Sequence, residues 1–237
     1  AWPALRPSFQ LPFGATVFTI GSCFARNIET YMESMGFDMP VRASVFGRQD
    51  SPFSWDGANP NGILNLYSAA SIDQAVSEAR FFYEQSRPPT EQELLGRLVQ
   101  VGNKYVDLDL ASYEANDLEF ALKRRRAYLE LNRKVFDSPF VVITLGLIEN
   151  WFDGETGSSM NRSPTREMIK HCPGRFQFKR GTFATEVVHA TNALDTILRT
   201  GCPDKKVLLT VSPVPLLLTF CREDVITANM HSKSLLR

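Results

Sequence analysis

The sequence predicts an α/β protein in which a mostly parallel sheet lies between two layers of helices, as a three-layer sandwich. Three short, β-rich and nearly continuous apolar runs support this prediction: TVFTI at 16–20, FVVITLG at 140–146 and KVLLTVSP at 206–213. A strand that is apolar throughout is typical of a parallel sheet covered on both faces. The segments between these runs carry helical patterns, and strands that alternate with helices favour this architecture.

The helices between the strands have recognisable starts and stops. Ser71 and Gln74 are spaced as a capping box, which predicts that a helix begins there, ahead of Ile72. Gly36 and Gly201 follow two amphipathic stretches, at positions where a glycine in the left-handed conformation commonly ends a helix. These two glycines therefore mark predicted helix ends.

A basic run, KRRR at 123–126, lies inside a further helical pattern. Leu118, Leu122 and Leu129 form an apolar stripe, so we expect the arginines to occupy the opposite, solvated face; the alternative is a phosphate-binding patch. The whole chain has 26 basic and 26 acidic residues. This balance argues against nucleic acid or an anionic membrane as a partner.

Two stretches, residues 40–65 and 152–183, interrupt the alternation of strands and helices. Both are rich in turn-forming residues and are interpreted as long loop insertions. Each follows the carboxyl end of a strand or its adjoining helix, and ligands of open α/β sheets bind outside that end. We therefore expect both stretches to border a ligand crevice.

The four cysteines lie far apart, at positions 23, 172, 202 and 221, without the spacing of a zinc site. No apolar run approaches the roughly 20 residues of a membrane span, and the first residues lack the order of a secretion signal. We expect a cytoplasmic protein with no disulfide framework and no metal. The sequence contains no nucleotide-binding glycine motif either, so no cofactor is expected.

The first predicted strand ends in a corner at residues 21–23. Gly21 breaks the apolar run, and Ser22 and Cys23 stand side by side before an amphipathic stretch. A serine between a buried strand and the first turn of a helix lies near free N–H groups and the positive end of the helix dipole, which suits a nucleophile. Many serines at such turns are only helix caps. The G-x-S-x-G elbow of α/β-hydrolases is absent, because Phe24 follows two places after Ser22.

Five blocks of the chain, in order, resemble the GSCFA domain family, a branch of the SGNH/GDSL hydrolase-like group. The blocks are TIGSCFARNIE at 19–29, GILNLYSAASI at 62–72, ITLGLIENWFD at 143–153, PGRFQF at 173–178, and TVSPVPLLLTF through DVITANMHSKSLLR at 210–237. The resemblance implies one domain over residues 1–237 with an SGNH-like or flavodoxin-like sheet. It also implies that Ser22 is the nucleophile, and that a backbone donor from the second block and an asparagine from the third complete an oxyanion hole.

The resemblance is incomplete at the third block, where the SGNH group commonly has G-x-N and this chain has Gly146-Leu147-Ile148. Asn150 is then the nearest amide donor. Glu149 could bind sugar hydroxyls or orient a base, or it could simply cap the next turn. Asn65 in the second block is a candidate donor or a turn residue. The candidate oxyanion and substrate-binding residues are Gly21, Asn65, Gly146, Glu149 and Asn150.

Cys23 and the histidines are the other candidates for chemistry. Successive residues that leave a strand point to opposite sides, so if Ser22 faces the crevice, Cys23 is expected to be buried in the sheet–helix layer. Its alternative role as the nucleophile needs a nearby imidazole. The D-x-x-H motif that supplies the base in the SGNH group does not occur, and neither His171, His189 nor His231 has a suitably spaced partner.

The sequence ends at Leu235-Leu236-Arg237, inside an apolar helical pattern without a stop signal. We therefore expect the domain to continue and the catalytic histidine to lie beyond residue 237. The 237 residues would then carry the nucleophile and part of the oxyanion hole.

Three functions remain open from the sequence. The first is an SGNH-like serine esterase or O-acyltransferase, in which Ser22 attacks an acyl group on a small molecule or a glycan. The second is a non-catalytic glycan-binding or scaffolding domain that keeps the serine corner. The third is a nucleotide or phosphate binder that uses the corner as an anion site. The third has no nucleotide-binding motif to support it, and we favour the enzyme.

Overall fold

The computed structural model describes residues 6–46, 52–53, 60–111 and 115–237. Its main sheet has three parallel strands, in the order β1 (Val17–Gly21), β4 (Phe140–Leu145) and β8 (Lys206–Val211). These are the three strands that the sequence predicts. The α/β fold with a mostly parallel sheet is therefore confirmed.

The other elements surround this sheet. The helices are α1 (Cys23–Ser34), α2 (Pro40–Phe46), α3 (Ala69–Gln85), α4 (Glu91–Leu95), α5 (Leu118–Arg133), α6 (Arg166–His171), α7 (Phe183–Arg199) and α8 (Val225–Leu236). The remaining strands are β2 (Leu98–Val101), β3 (Lys104–Asp107), β5 (Glu149–Asp153), β6 (Ser159–Met160) and β7 (Phe176–Arg180). None of the helices that the structure describes has the length and apolar character needed to cross a bilayer.

Alternate residues of the central strand face different helices. Val142, together with Val17 of β1, packs against Met32 of α1. Val141 and Ile143 instead belong to the main core, which they share with residues of α3, α5 and α7. Because successive side chains of a strand point to opposite faces, α1 covers one face of the sheet and the α3, α5 and α7 group covers the other. This is the expected three-layer arrangement.

The outer strand β8 differs from the other two. Its apolar sequence predicts a strand covered on both faces, but Leu208 and Leu209 are 49% and 43% exposed. β8 pairs with β4 at one side of the main sheet, so it lies at the edge. β1 is the other edge strand and is buried throughout, so an edge position alone does not account for the exposure of β8. An apolar run does not reveal how much of each face other elements will cover, and the prediction of two covered faces is correct for β1 and β4 only.

The predicted helix signals are partly confirmed. Gly36 and Gly201 follow the ends of α1 and α7 with φ angles of +86° and +79°, as expected of glycines that end helices. The predicted capping box is wrong by three residues. Ser68 is the N-cap of α3 and accepts the N–H of Ser71 at 3.2 Å, so Ser71 is the third residue of the box rather than its first.

The basic run of α5 is only half solvated, so the expectation is correct for Lys123 and Arg126 and wrong for Arg124 and Arg125. Arg124 is 3% exposed and Arg125 is fully buried, whereas Arg126 is exposed. Both buried arginines lie on the side of α5 that packs against other elements. Arg124 donates to the carbonyl of Pro52 at 2.8 Å, and the charge of Arg125 is compensated by carboxylates.

Arg125 is the centre of a buried group of charges that we call the Arg125 cluster. Its guanidinium bonds to the carboxylates of Glu78 and Asp109, and to that of Asp107 at 3.3 Å. Arg97 lies 3.1 Å from Asp109 and completes the cluster. These contacts join α3, β3 and α5 through charge.

The two predicted long loops contain regular structure. In the first, residues 40–46 form α2 and residues 60–64 form a 3-10 turn, while residues 47–51 and 54–59 lie outside the described residues. The second, residues 152–183, holds α6 and a small antiparallel sheet in the order β6-β5-β7. Strands this short give too few alternating residues for a sequence pattern to show them.

Candidate functional site

A cavity of about 780 Å³ lies at the carboxyl end of the main sheet. Ser22 follows β1, Gly146 follows β4 and Ser212 follows β8, and all three residues line this cavity. Ligands of open α/β sheets bind at this end of the strands. The cavity is therefore the candidate functional site.

Gly21 brings the end of β1 close to the central strand. Its φ is +142°, and a Cβ at this position would lie 2.1 Å from Oγ1 of Thr144. The N–H of Ser22 donates to the same Oγ1 at 3.2 Å. Gly21 thus shapes the corner that presents Ser22, although it is not among the residues that line the cavity.

The Ser22 side chain does not cap the helix that it precedes. Ser22 occupies the N-cap position of α1, but its hydroxyl accepts no N–H of the first turn. Its Oγ is buried without a hydrogen-bond partner. The residues before the other helices from α3 onward each accept a first-turn N–H through their side chains: Ser68, Thr90, Asp117, Thr165, Thr182 and Asp224. Capping therefore does not account for the serine at this position, and its hydroxyl is not engaged by the rest of the described chain.

The turn after β4 is held by hydrogen bonds of its own backbone. The N–H groups of Gly146 and Leu147 both donate to the carbonyl of Tyr67, at 2.9 and 3.0 Å. Ile148, which stands where the SGNH pattern has asparagine, is buried, and its N–H donates to the hydroxyl of Ser232 at 3.1 Å. A Cβ on Gly146 would lie 2.8 Å from the Tyr67 carbonyl oxygen, so glycine is required here. These three N–H groups are all engaged and cannot bind an oxyanion.

Glu149 and Asn150 follow this turn and both line the cavity. The carboxylate of Glu149 accepts hydrogen bonds from the hydroxyl of Thr219 and, at 2.9 Å, from the N–H of Phe220. It thereby fastens the segment after β8 to β5. Asn150 is 5% exposed and is the amide side chain nearest in sequence to the position of the expected asparagine.

Asn65 lies behind the cavity wall. Its amide donates to the hydroxyl of Tyr67 at 3.0 Å, and Tyr67 rather than Asn65 lines the cavity. The structure therefore brings four of the predicted site residues to one cavity, namely Ser22, Gly146, Glu149 and Asn150. Gly21 and Asn65 support that cavity from outside.

Cys23 lines the cavity beside Ser22, so the expectation that it is buried in the sheet–helix layer is wrong. The reason is that Cys23 is already the first residue of α1. Side chains of a helix tilt toward its N-terminus, which directs Cys23 back to the corner, whereas the prediction treated it as a residue of a strand.

None of the three histidines is among the residues that line the cavity in the described chain. The Nδ1 of His189 on α7 lies 2.8 Å from the carboxylate of Asp73, and neither residue lines the cavity. His171 lies 3.7 Å from Glu167 on α6, and His231 is exposed on α8.

Lys233 is a cavity residue that the sequence reasoning missed. It lies on α8, is 9% exposed, and its Nζ donates to the carbonyl of Gly146. Burial lowers the pKa of its ammonium group, because an apolar surrounding disfavours the charged form. A lone lysine in a helical pattern ordinarily lies on the solvated face, and no motif of the sequence marked this one.

Much of the remaining wall is apolar. It includes Leu147, Met160 and the segment 214–218 that follows β8. Trp151 and Phe220 also line the cavity, with ring centroids 5.3 Å apart. This wall can bury an apolar or ring-shaped part of a ligand next to the Ser22 corner.

Comparison with known proteins gave one match. The model of the GSCFA family matches residues 16–237, which is nearly the whole chain. No curated protein and no solved structure matches it.

Proposed function

The chain belongs to the GSCFA family, and from the surroundings of Ser22 we propose that it is an SGNH-like serine esterase or O-acyltransferase. One observation carries this proposal. The Oγ of Ser22 is buried, has no partner, and belongs to a residue that lines the cavity at the carboxyl end of the sheet. A hydroxyl that the fold does not use and that belongs to a cavity residue is available to attack a bound substrate.

The proposed reaction begins when Ser22 attacks the carbonyl carbon of an acyl ester. The covalent acyl-enzyme is then released by water or by a second hydroxyl group. The N–H groups of Cys23 and Phe24 in the first turn of α1, which the Ser22 side chain leaves uncapped, are the proposed donors to the oxyanion, assisted by the helix dipole. The amide of Asn150 is the proposed contact to the substrate from β5.

We propose a small-molecule or glycan acyl ester as the substrate. The amide of Asn150 and the Oδ1 of Asn161 offer hydrogen bonds to hydroxyl groups, while Trp151 and Phe220 offer ring faces to a sugar or an apolar chain. A mainly apolar pocket with a few polar groups is typical of small-molecule sites.

We also propose a reducing, cytoplasmic location, because all four cysteines are free. A disulfide-linked form isolated from the native cells would contradict that location.

The test of the nucleophile is labelling by a fluorophosphonate, combined with hydrolysis of a p-nitrophenyl ester. We expect the wild-type protein and the Cys23→Ala variant to be labelled, and Ser22→Ala to lose labelling and at least about 10³-fold in ester hydrolysis. Ser163→Ala is the matched control, because Ser163 also lines the cavity and is exposed. Labelling that persists in Ser22→Ala but disappears in Cys23→Ala would assign the reaction to the thiol instead.

A second candidate is a non-catalytic glycan-binding domain. The observation that favours it is the turn after β4, where the N–H groups of Gly146, Leu147 and Ile148 are all engaged. A wild-type protein that binds oligosaccharides by calorimetry, yet is not labelled at Ser22 and hydrolyses no ester, would support this candidate over the enzyme.

A further inference from the structure

Helix α8 is fastened to the turn after β4 by two consecutive residues. The hydroxyl of Ser232 accepts the N–H of Ile148 at 3.1 Å, and the Nζ of Lys233 donates to the carbonyl of Gly146. A helix held in this way places Lys233 beside the cavity.

Gly146 lies between Lys233 and the Ser22 corner. A Cβ on Gly146 would lie 3.1 Å from the Cβ of Ser22, while the carbonyl of the same residue accepts from Lys233. Both side chains therefore lie next to one residue, and both line the same cavity. The flexible four-carbon stem of a lysine allows its amine to move toward a neighbouring group when a substrate binds.

The other titratable groups of the cavity are poorly suited to take a proton from Ser22. The carboxylate of Glu149 is occupied by the segment after β8, and Arg162 does not lose its proton in proteins. Tyr67 is a phenol whose pKa burial raises, which leaves its oxygen protonated. Cys23 supplies a thiol rather than an amine or imidazole.

We propose that Lys233 is the general base for Ser22, forming a serine–lysine pair across Gly146. This inference rests on the proposed hydrolase or acyltransferase function. It assigns to a residue of the described chain the role that the sequence alone placed beyond Arg237. Serine–lysine pairs are a known alternative to the serine–histidine–aspartate arrangement.

In the proposed reaction, Lys233 carries one proton from Ser22 to the leaving group. The neutral amine of Lys233 takes the proton of the Ser22 hydroxyl as Oγ bonds to the acyl carbon, and the carbonyl oxygen becomes the oxyanion. When the bond to the leaving alkoxide breaks, the ammonium returns its proton to that oxygen, which leaves as an alcohol. Water then repeats the sequence on the acyl-enzyme and releases the carboxylic acid.

The electrostatics of the site lower the pKa of Lys233 and so shift its amine toward the neutral form. Burial is the main cause that lowers the pKa of Lys233, and the nearby charge of Arg237 lowers it further, while Cys23 acts in the opposite direction. A base must be partly deprotonated at the working pH, and a desolvated lysine meets that condition better than an exposed one.

The test compares Lys233→Met and Lys233→Arg with wild type, by the rate of fluorophosphonate labelling and of p-nitrophenyl ester hydrolysis. We expect both variants to be at least about 100-fold slower, because arginine keeps the charge but cannot accept a proton. Lys206→Met is the matched control, since Lys206 is an exposed lysine on β8, and it should keep the wild-type rate. Circular dichroism checks that each variant is folded.

The outcomes separate the two proposals. If Lys233→Arg keeps more than half of the wild-type rate, Lys233 acts through charge alone and the base assignment is wrong. If Lys233→Met is as fast as wild type, the assignment fails while the esterase stands. A wild-type protein that is neither labelled nor active would overturn the function and the pair together. Should Lys233→Met not fold, the folded Lys233→Ala protein must regain rate with added methylamine, and no rescue would refute the base.

Discussion

The Arg125 cluster offers a sharp test of how charge supports this fold. In Arg125→Met, the carboxylates of Asp107 and Asp109 stay buried, at 0% and 3% residue exposure, but lose their central cation. Arg97 still lies 3.1 Å from Asp109, so the loss of the attraction from Arg125 affects mainly Asp107. Removing one partner of a buried ion pair leaves the other charge desolvated and unpaired, which is the costly case.

The expected loss follows from that arrangement. Breaking a buried pair costs about 3–5 kcal/mol in free energy of unfolding. For a chain of this length, each kcal/mol lowers the melting temperature by about 2–4 °C, which gives a decrease of about 6–20 °C. Methionine has a similar length to the arginine stem, so little of the loss comes from a cavity.

The pH dependence gives a second signature. Burial raises the pKa of Asp107 to about 6, against the opposing effect of Arg125. A carboxyl group with a raised pKa in the folded state contributes stability at low pH and loses it as the pH rises through that value. Without Arg125 the pKa of Asp107 rises further, so Arg125→Met should be closer to wild type at pH 5 than at pH 8.

Thermal and urea denaturation at these two pH values measure both effects. Arg126→Met is the matched control, because Arg126 lies next in sequence on the same helix and is exposed. If the two methionine variants lose the same stability, or if the deficit of Arg125→Met is unchanged between pH 5 and pH 8, the reasoning about buried charge is refuted.

Two further predictions concern residues that shape the cavity. Gly21→Ala should destabilise by about 2 kcal/mol or more beyond Gly14→Ala in urea denaturation, because only at Gly21 would the new Cβ collide with Thr144; equal losses would show that the close approach is unimportant. Glu149→Gln should cost about 1–3 kcal/mol, since an amide cannot accept from both Thr219 and Phe220 through two oxygens. An unchanged unfolding midpoint in that variant would show that Glu149 does not fasten the segment after β8.

The corner at Ser22 is predictable from sequence because its determinants are adjacent. The apolar run of β1, the break at Gly21 and the start of α1 all fall within residues 16–25. The helix ends at Gly36 and Gly201 are likewise predictable, because the glycine itself determines each of them. The direction of the Cys23 side chain was predicted wrongly because Cys23 was treated as a strand residue. It is the first residue of helix α1.

The features that sequence reasoning missed depend on distant partners. The helical pattern predicts that Arg125 is solvated. In the fold it bonds to Glu78, which is 47 positions away, and to Asp107, which is 18 positions away. The position of Lys233 at the cavity depends on its hydrogen bond to the carbonyl of Gly146, 87 positions away. A helical pattern separates apolar from polar faces, but it cannot show which polar face will meet compensating groups.

The hydrogen bond from the Ser22 N–H to Thr144 spans 122 positions of the chain. β1 has no neighbour in the main sheet until β4 is present, because β8 joins the sheet on the far side of β4. Contacts between such distant segments form slowly, since a long loop must close before they are made. During synthesis, Ser22 leaves the ribosome long before its strand partner exists. Ser22 is therefore synthesised early, but its hydroxyl becomes buried without a partner only when folding has placed β4 beside β1.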